Sequence, residues 1–304
     1  MPIYSYGRRY ATGGPGPYVG LGDVLPGALH YWGVRSYSAA TRGTRAINVQ
    51  RNSDGQSTDI FTDVNSGSLV DPGDPLHPGL PFFDSSTQFR VRVAYDQTGN
   101  GGHLTGVTNP PVLILNSLNG GTQPLMRLDN SLGSGGYMNI NSNILPSSMA
   151  AVPQPFSFAT CVNKWSTQDL EGGYMGNNGN ASIYFPALSL AGARYIVMTT
   201  DTMGGGAPQN PGGTHILFSN AVFHDVQGCF NGTTQSSICV DGATTTGTSV
   251  DGTLGLPANG MNWFNVSGIS NVNSDATEFC LWSGDQSASY NALHSNQSAF
   301  FGIL

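Results

Sequence analysis

Carboxylate side chains are the residues of this sequence with the clearest potential for chemistry. The chain has sixteen aspartates but only two glutamates, Glu171 and Glu278. Two carboxyl groups about 5–5.5 Å apart can cleave a glycosidic bond with retention, one as nucleophile and the other as acid and base. Plainer roles stay open, because Glu171 suits a solvated turn and Glu278 suits a structural position in a strand.

Other catalytic and metal-binding motifs do not occur in the sequence. The six histidines are scattered, and none belongs to an H-E-x-x-H or paired Cys/His spacing. The sequence contains no phosphate-binding P-loop and no G-x-S-x-G nucleophile elbow. Calcium takes oxygen ligands, and Asp and Asn are plentiful, but no spacing identifies a calcium site. We therefore expect no cofactor and no metal site.

Aromatic and amide side chains offer a second kind of chemistry, the binding of sugars. Sugars bind by stacking on aromatic rings and by hydrogen bonds to polar side chains. The candidates for such a site are Trp165, Tyr174, Trp263, Asn177 and Asn178. The alternative for each aromatic ring is a place in the hydrophobic core.

The elements that would position these residues are predicted to be strands. Only 10% of the residues are charged, and the chain contains 42 glycines, 18 prolines and one lysine, a composition that disfavours helices. Many short apolar runs are separated by Gly, Asn, Asp and Ser turns, which predicts an all-β sandwich or barrel. The two helical signals lie at 28–40 and 287–300.

The beginning of the chain differs from the rest. Residues 1–27 are rich in Gly, Pro and Tyr and form a predicted attachment arm, and residues 28–304 form one domain. The arm residues expected to make contacts are Tyr4, Tyr6, Arg8, Arg9 and Tyr10. The arm either docks on another surface or packs along the domain that follows it.

Charge and hydropathy exclude some partners. The formal net charge of −7 disfavours nucleic acid, whose binding needs a basic surface. No apolar run of 18 residues occurs, so we expect no membrane insertion. The first residues lack the apolar core of a signal peptide.

The four cysteines leave the disulfide state open, because four cysteines allow three pairings. Cys229 and Cys239 bracket a short polar loop, which suits a local disulfide. Cys161 and Cys280 lie in apolar runs, where buried free thiols are the alternative.

Two segments resemble a known family. The segment Tyr95-Asp96-Gln97-Thr98-Gly99-Asn100-Gly101 resembles the YDQSGNG signature of the catalytic domain of fungal α-L-arabinofuranosidase B. This signature also occurs in bacterial and phage proteins with concanavalin-A-like folds. Residues 49–55 with Asp59-Ile60 are similar to the V-x-R-x-S-D-x-x-x-x-D-I hairpin of the same family.

The resemblance implies roles for two carboxylates. The segment 168–174 is similar to the D-L-E-N-G segment that carries the family's nucleophile, which makes Glu171 the implied nucleophile and Asp285 the implied acid. The sequence departs from the pattern because Gly172 replaces the Asn, and because no Cys-Cys pair occurs where the family has one at its active site. These departures favour binding over hydrolysis.

A second resemblance concerns the fold. The later part of the chain resembles laminin-G-like domains in the order of its core strands and closing helix. The segments that carry this resemblance are His224, residues 237–242, Glu278 with Trp282, and residues 296–302. Together the resemblances imply a concanavalin-A-like jelly-roll sandwich with an N-terminal arm and one or two short helices.

The expected function follows from composition and resemblance. We expect a bacteriophage virion-surface protein (head fibre, decoration or tail-associated) that contacts host-surface polysaccharide, at the virion surface or outside the cell. Its expected partners are other virion proteins through the arm, host glycan and further copies of itself. The alternative is a retaining glycoside hydrolase of arabinofuranosidase type.

Overall fold

The computed structural model describes residues 17–73, 76, 78–83, 87–107, 109–128, 137–140, 147–164, 172–176, 187–191, 195–199, 214–217, 222–231, 236–246, 255–256, 258–264 and 274–303. The strands in this part of the chain are β1 (His30–Gly33), β2 (Arg45–Arg51), β3 (Ser57–Phe61), β4 (Phe89–Ala94), β5 (Leu104–Val107), β6 (Val112–Leu118), β7 (Gln123–Leu128), β8 (Tyr137–Asn139), β9 (Phe156–Lys164), β10 (Gly172–Gly176), β11 (Ala187–Ala191), β12 (Tyr195–Thr199), β13 (Thr214–Leu217), β14 (His224–Phe230), β15 (Ser237–Val240), β16 (Ala243–Thr246), β17 (Asn262–Trp263) and β18 (Ser274–Ser283). The α-helices are α1 (Leu21–Val24) and α2 (Tyr290–Phe301).

Antiparallel pairing arranges these strands in two layers. In the first layer, β1, β18, β9, β14, β15 and β16 lie side by side. In the second layer the order is β5, β8, β17, β10, β11, β12 and β13. Strand β4 pairs with both β5 and β6, and β7 pairs with both β6 and β18, so the two layers are connected. The predicted all-β sandwich is confirmed.

The core lies between the layers. The ring of Phe279 on β18 approaches the ring of Trp263 on β17 with centroids 6.3 Å apart, and it stacks on Phe158 of β9 at 5.7 Å. All three side chains are less than 2% exposed. Nearly every residue of β18 is buried, because its second face is covered by α1 and α2.

The helix predicted at 28–40 was wrong. Residues 30–33 form β1, which pairs with β18 from His30↔Leu281 to Gly33↔Glu278. Only a short 3₁₀ turn, Ala39–Thr41, is helical in this stretch. The spacing of its aromatic residues fits a helix, but pairing with β18 and burial in the sheet override this local preference.

The closing helix predicted near 287–300 is confirmed as α2. Its buried residues, Tyr290, Leu293, Gln297 and Phe301, recur at helical spacing and face the first layer. The helix ends at Gly302, which has a φ of 66°. A side chain at Gly302 would also collide with Asn119, so this position requires glycine for two reasons.

The described end of the predicted arm packs on the domain. Leu21 of α1 is fully buried in a cluster with Tyr31 and Tyr37. The hydroxyl of Tyr18 donates a hydrogen bond to the backbone oxygen of Ser36. Residues 17–27 are therefore part of the folded body, and the five arm residues predicted to make contacts lie outside the described residues.

The four cysteines are free and buried. Cys229 lies opposite Ser237, and Cys239 lies opposite Gln227, so the two cysteines are offset across the β14–β15 pair rather than bonded. Burial raises the pKa of Cys229 to about 11 and that of Cys161 well above its usual value. The suggested local disulfide between Cys229 and Cys239 does not form.

Candidate functional site

The segment that resembles the arabinofuranosidase signature forms a tight, inward-facing turn after β4. The Asp96 carboxylate is fully buried and accepts hydrogen bonds from the backbone N–H of Tyr31 (3.1 Å), the hydroxyl of Thr98 (2.7 Å) and the backbone N–H of Gly102 (3.2 Å). His30 Nδ1 lies 2.8 Å from the same carboxylate. Burial alone would raise the pKa of Asp96, but the bonds from His30 and Thr98 outweigh it and the pKa is lowered.

Neighbouring residues of this turn fasten β1 to β4. Gln97 accepts a hydrogen bond from the Tyr37 N–H and donates one to the Arg35 oxygen, and Asn100 donates one to the Leu29 oxygen. The Asp96 N–H donates to His103 Nδ1, and burial lowers the pKa of His103, which suits a neutral acceptor ring. The signature is therefore structural here.

Glu278 lies at the centre of a buried ion pair. Arg35 donates to both of its oxygens, at 2.7 Å from Nε and 2.8 Å from Nη2, and both side chains are fully buried. Tyr31 donates to Glu278 Oε2 at 2.6 Å, and Gln297 donates to Oε1 at 2.9 Å. A carboxylate bound by three side chains and sealed from solvent is a structural group, as the alternative interpretation of Glu278 held.

The ion pair continues as a chain of polar groups beneath α2. Gln227 donates to both Gln297 (2.7 Å) and Asp225 (2.9 Å). The buried Asp225 carboxylate also lies 2.8 Å from His294 Nδ1 and accepts a bond from Ser298. We call this set, from Tyr31 and Arg35 to His294, the α2 network; it ties the closing helix to β14 and β18.

Asp285, the implied acid, lies just beyond β18 and is exposed to solvent. The backbone N–H of Ser287 donates to its carboxylate at 2.9 Å. This bond is the main reason that the pKa of Asp285 lies below its usual value. A general acid needs the opposite shift, because it must hold a proton near neutral pH.

The sequence-predicted sugar-binding residues converge on two neighbouring strands. Tyr174 is in β10, Trp263 is in β17, and the two strands pair through Met175↔Trp263 and Gly176↔Asn262. Trp165, Asn177 and Asn178 lie outside the described residues, as does Glu171, the implied nucleophile.

Trp263 is the one member of this set that the structure corrects. Its ring is fully buried in the core and stacks on Phe264 with centroids 5.0 Å apart. A ring with both faces covered offers no platform for a sugar, so Trp263 is a core residue.

Two buried asparagines lie beside these strands and were missed by the sequence analysis. Asn139 of β8 is directly opposite Asn262 of β17, and the two are 5% and 1% exposed. Because side chains alternate along a strand, both lie on the face opposite Trp263 and Met138, which point into the core. Their Oδ1 atoms have no hydrogen-bond partner within the part of the chain that the structure describes. We call this pair and its surroundings the β8–β17 face.

A groove of about 530 Å³ lies elsewhere on the surface, next to β6. Its walls come from residues 68, 69, 71, 81, 83, 87–89, 112–116, 122 and 124. Phe83, half-buried at its side, packs edge-on against Phe89 at 5.2 Å. We call this cavity the β6 groove.

The described residues contain no group of three or more His, Cys, Asp or Glu side chains arranged for a metal ion. Within the same residues, no helix has the length and apolar character needed to cross a membrane.

The chain is similar in fold to solved structures of β-sandwich proteins. It is similar to the crystal structure of an arabinofuranosidase complexed with arabinofuranosyl-α-1,2-xylobiose, with a TM-score of 0.63, 15% identity and 90% of this chain covered. A GH54 α-L-arabinofuranosidase soaked with a cyclic sulfate inhibitor gives a TM-score of 0.62 at 15% identity, also over 90% of this chain. The chain spans 63% of the length of each of these proteins. At this identity the likeness shows the fold.

No protein-family model matches the sequence, and no curated protein matches it.

Proposed function

We propose that this protein is a glycan-binding β-sandwich that contacts neutral sugars where β10 meets β17, without hydrolysing them. The observation that carries the proposal is the β8–β17 face, where two buried amide oxygens have no hydrogen-bond partner among the described residues. Buried polar atoms are nearly always hydrogen-bonded, and a sugar presents hydroxyl donors to such acceptors. The fold likeness to arabinofuranosidases supports the same class of ligand.

The contacts proposed for the glycan come from residues on or next to β10. Tyr174 would supply an aromatic platform, and Asn177 and Asn178 would supply amide hydrogen bonds. The pairing of β10 with β17 places Gly176 opposite Asn262 and, one strand further, Asn139. The strand that contains Tyr174 therefore lies next to the strand that contains one of the two acceptors, which supports a site at this edge.

Binding is favoured over hydrolysis by the carboxylates. The described glutamate, Glu278, is closed within the α2 network, and Asp285 is exposed with a lowered pKa. Neither environment suits the proton donor that a retaining mechanism requires.

A glycan array on the purified chain tests the proposal, followed by product analysis for every glycan bound. Wild type would be compared with Tyr174→Ala, with an Asn177→Ala/Asn178→Ala variant and with Glu171→Gln. Phe61→Ala is the matched control, because Phe61 is a 44% exposed aromatic residue on β3 rather than near β10.

Loss of signal in the Tyr174 and Asn177/Asn178 variants, with unchanged signal in Phe61→Ala, is the expected result. Glu171→Gln should bind as wild type does, and no shortened glycan should appear. Cleavage that Glu171→Gln abolishes would establish the hydrolase instead, and equal signals for all variants would remove β10 from the binding site.

The setting that we propose is a virion or another extracellular particle. Residues 1–16, the part of the predicted arm that precedes the folded body, would attach it to other particle proteins, and several copies would assemble together. The low charge, the Gly-rich and Tyr-rich arm, and the resemblance to phage-borne proteins support this setting. Immunogold labelling of purified particles, scored against lysate from which particles were removed, tests it; label confined to the lysate would contradict it.

A further inference from the structure

The β6 groove has mostly apolar walls, and one described carboxylate, Asp71, lies in its lining. Leu69, Phe83, Leu113 and Leu115 lie in its lining, and Asp71 and Asn116 add polar groups. The loop over residues 66–87, which supplies one wall, carries three aspartates and no lysine or arginine. The groove therefore suits an extended segment with apolar side chains and positive charge.

The start of the described chain leads directly to this groove. The ring of Tyr18 lies so close over Gly67 that no side chain would fit there, and Gly67 has a φ of 69°. The next residue, Ser68, lines the groove and forms a β-bridge with Arg35. The ring of Tyr18 therefore packs beside a residue that adjoins the groove lining, close to the point where the segment before residue 17 joins the folded body.

That segment has a matching pattern. Tyr4, Tyr6, Arg8 and Tyr10 occupy alternate positions, so an extended backbone would place them on one face. Residues 1–16 contain Arg8 and Arg9 and no acidic residue, which complements the aspartates of the loop. Seven residues separate Tyr10 from Tyr18, and the eight residue steps between the two span at most about 28 Å when extended.

We propose that the β6 groove binds residues 4–10 of the same chain. The tyrosine rings contact the apolar walls, and the positive charge of Arg8 and Arg9 complements the acidic sequence of the loop. Attachment of the arm in cis is favoured because its root is already fixed beside the groove, which gives the segment a high effective concentration there. The arm then leaves the groove when it attaches to a partner on the particle.

Disulfide trapping in the full chain tests the proposal. One variant combines Tyr6→Cys with Thr122→Cys, an exposed position in the groove lining. The control combines Tyr6→Cys with Ser295→Cys, an exposed position next to Asn296, which donates a hydrogen bond to the Val19 oxygen and so lies close to the root of the arm. The four native thiols are buried, so they contribute little background.

The expected result is an intramolecular disulfide that forms at least about ten-fold faster in the groove variant than in the control, measured by non-reducing gel and peptide mass. Adding Tyr4→Ser and Tyr10→Ser should remove this difference, whereas Ile3→Ser and Ala11→Ser, at the alternate positions, should leave it. Equal rates in the two cysteine pairs would overturn the proposal. A predominantly dimeric disulfide would also overturn it, because a second copy would then fill the groove.

Discussion

Glu278 and the pair Asn139–Asn262 occupy opposite layers of the sandwich, and all three are polar side chains buried in an apolar protein. The Glu278 carboxylate has donors from three side chains. The two asparagine Oδ1 atoms have no hydrogen-bond donor from the described residues. The α2 network also keeps unpaired atoms, Arg35 Nη1 and Gln227 Oε1, but other hydrogen bonds already fix both of those side chains.

The difference separates a region built for stability from one left available to a ligand. A buried charge without its partner is costly, so the α2 network must stay closed for the chain to fold. An unpaired amide oxygen destabilises the folded chain less than an unpaired charge does. A hydroxyl group of a ligand can donate the missing hydrogen bond and so offset that loss. Substitutions should therefore affect mainly folding beneath α2 and mainly binding on the β8–β17 face.

The largest effect is expected from breaking the ion pair. Glu278→Leu leaves the Arg35 guanidinium buried without its carboxylate, and we expect the free energy of unfolding to fall by about 3–5 kcal/mol. Urea denaturation followed by tryptophan fluorescence measures this loss. The exposed Asp285→Asn, seven residues further along the chain, should change the same quantity by no more than about 0.5 kcal/mol.

A double-mutant cycle sharpens this prediction. Arg35→Leu with Glu278→Leu removes both charges, so the double variant should lose less stability than the sum of the two single variants. Additive losses would mean that the two side chains are not coupled, and the α2 network would then not be the source of the effect.

An intermediate effect is expected at Asp96, the centre of the turn after β4. Asp96→Asn places an amide among donors that require a carboxylate, at a cost of about 1–3 kcal/mol at pH 7. The pKa of Asp96 is lower in the folded chain than in the unfolded chain. Its stabilisation is therefore complete above about pH 4 and disappears as the pH falls through the lowered folded value.

The measurement is the free energy of unfolding against pH for wild type and Asp96→Asn. The two curves should be separated at neutral pH and should converge below about pH 4. Thr98→Val removes a single donor to this carboxylate and should give a smaller loss. A constant separation at all pH values would show that the charge of Asp96 contributes nothing.

The sequence predicted the strands better than it predicted their partners. Short apolar runs separated by Gly, Asn, Asp and Ser turns are local signals, and the all-β chain that they predicted was found. His30–Gly33 was assigned to a helix because its strand character depends on β18, about 250 residues away. Local spacing carries no information about such a pairing.

The candidate site was predictable only in part, for the same reason. Tyr174 and Trp263 were selected by residue type, and the pairing of β10 with β17 brings their strands together. Residue type does not distinguish a ring in the core from a ring at a binding site, and Trp263 proved to be in the core. Asn139 and Asn262 were missed because Asn is common in this chain and only the strand register shows that they face each other.

The smallest effect on stability is expected on the β8–β17 face, and it separates the two regions most clearly. Asn262→Leu has a similar volume and removes an oxygen that has no partner, so the free energy of unfolding should change by less than about 1 kcal/mol. Gln297→Leu is the matched control in the α2 network. It removes the amide between Glu278 and Gln227 and should cost more, about 1–3 kcal/mol.

Glycan binding by the same two variants should show the reverse order. Asn262→Leu should weaken the array signal, because the acceptor offered to a sugar hydroxyl is gone, whereas Gln297→Leu should bind as wild type does at temperatures where it is folded. If Asn262→Leu instead destabilised the chain as strongly as Gln297→Leu and left binding unchanged, its amide would be a structural group, and the β8–β17 face would belong with the α2 network.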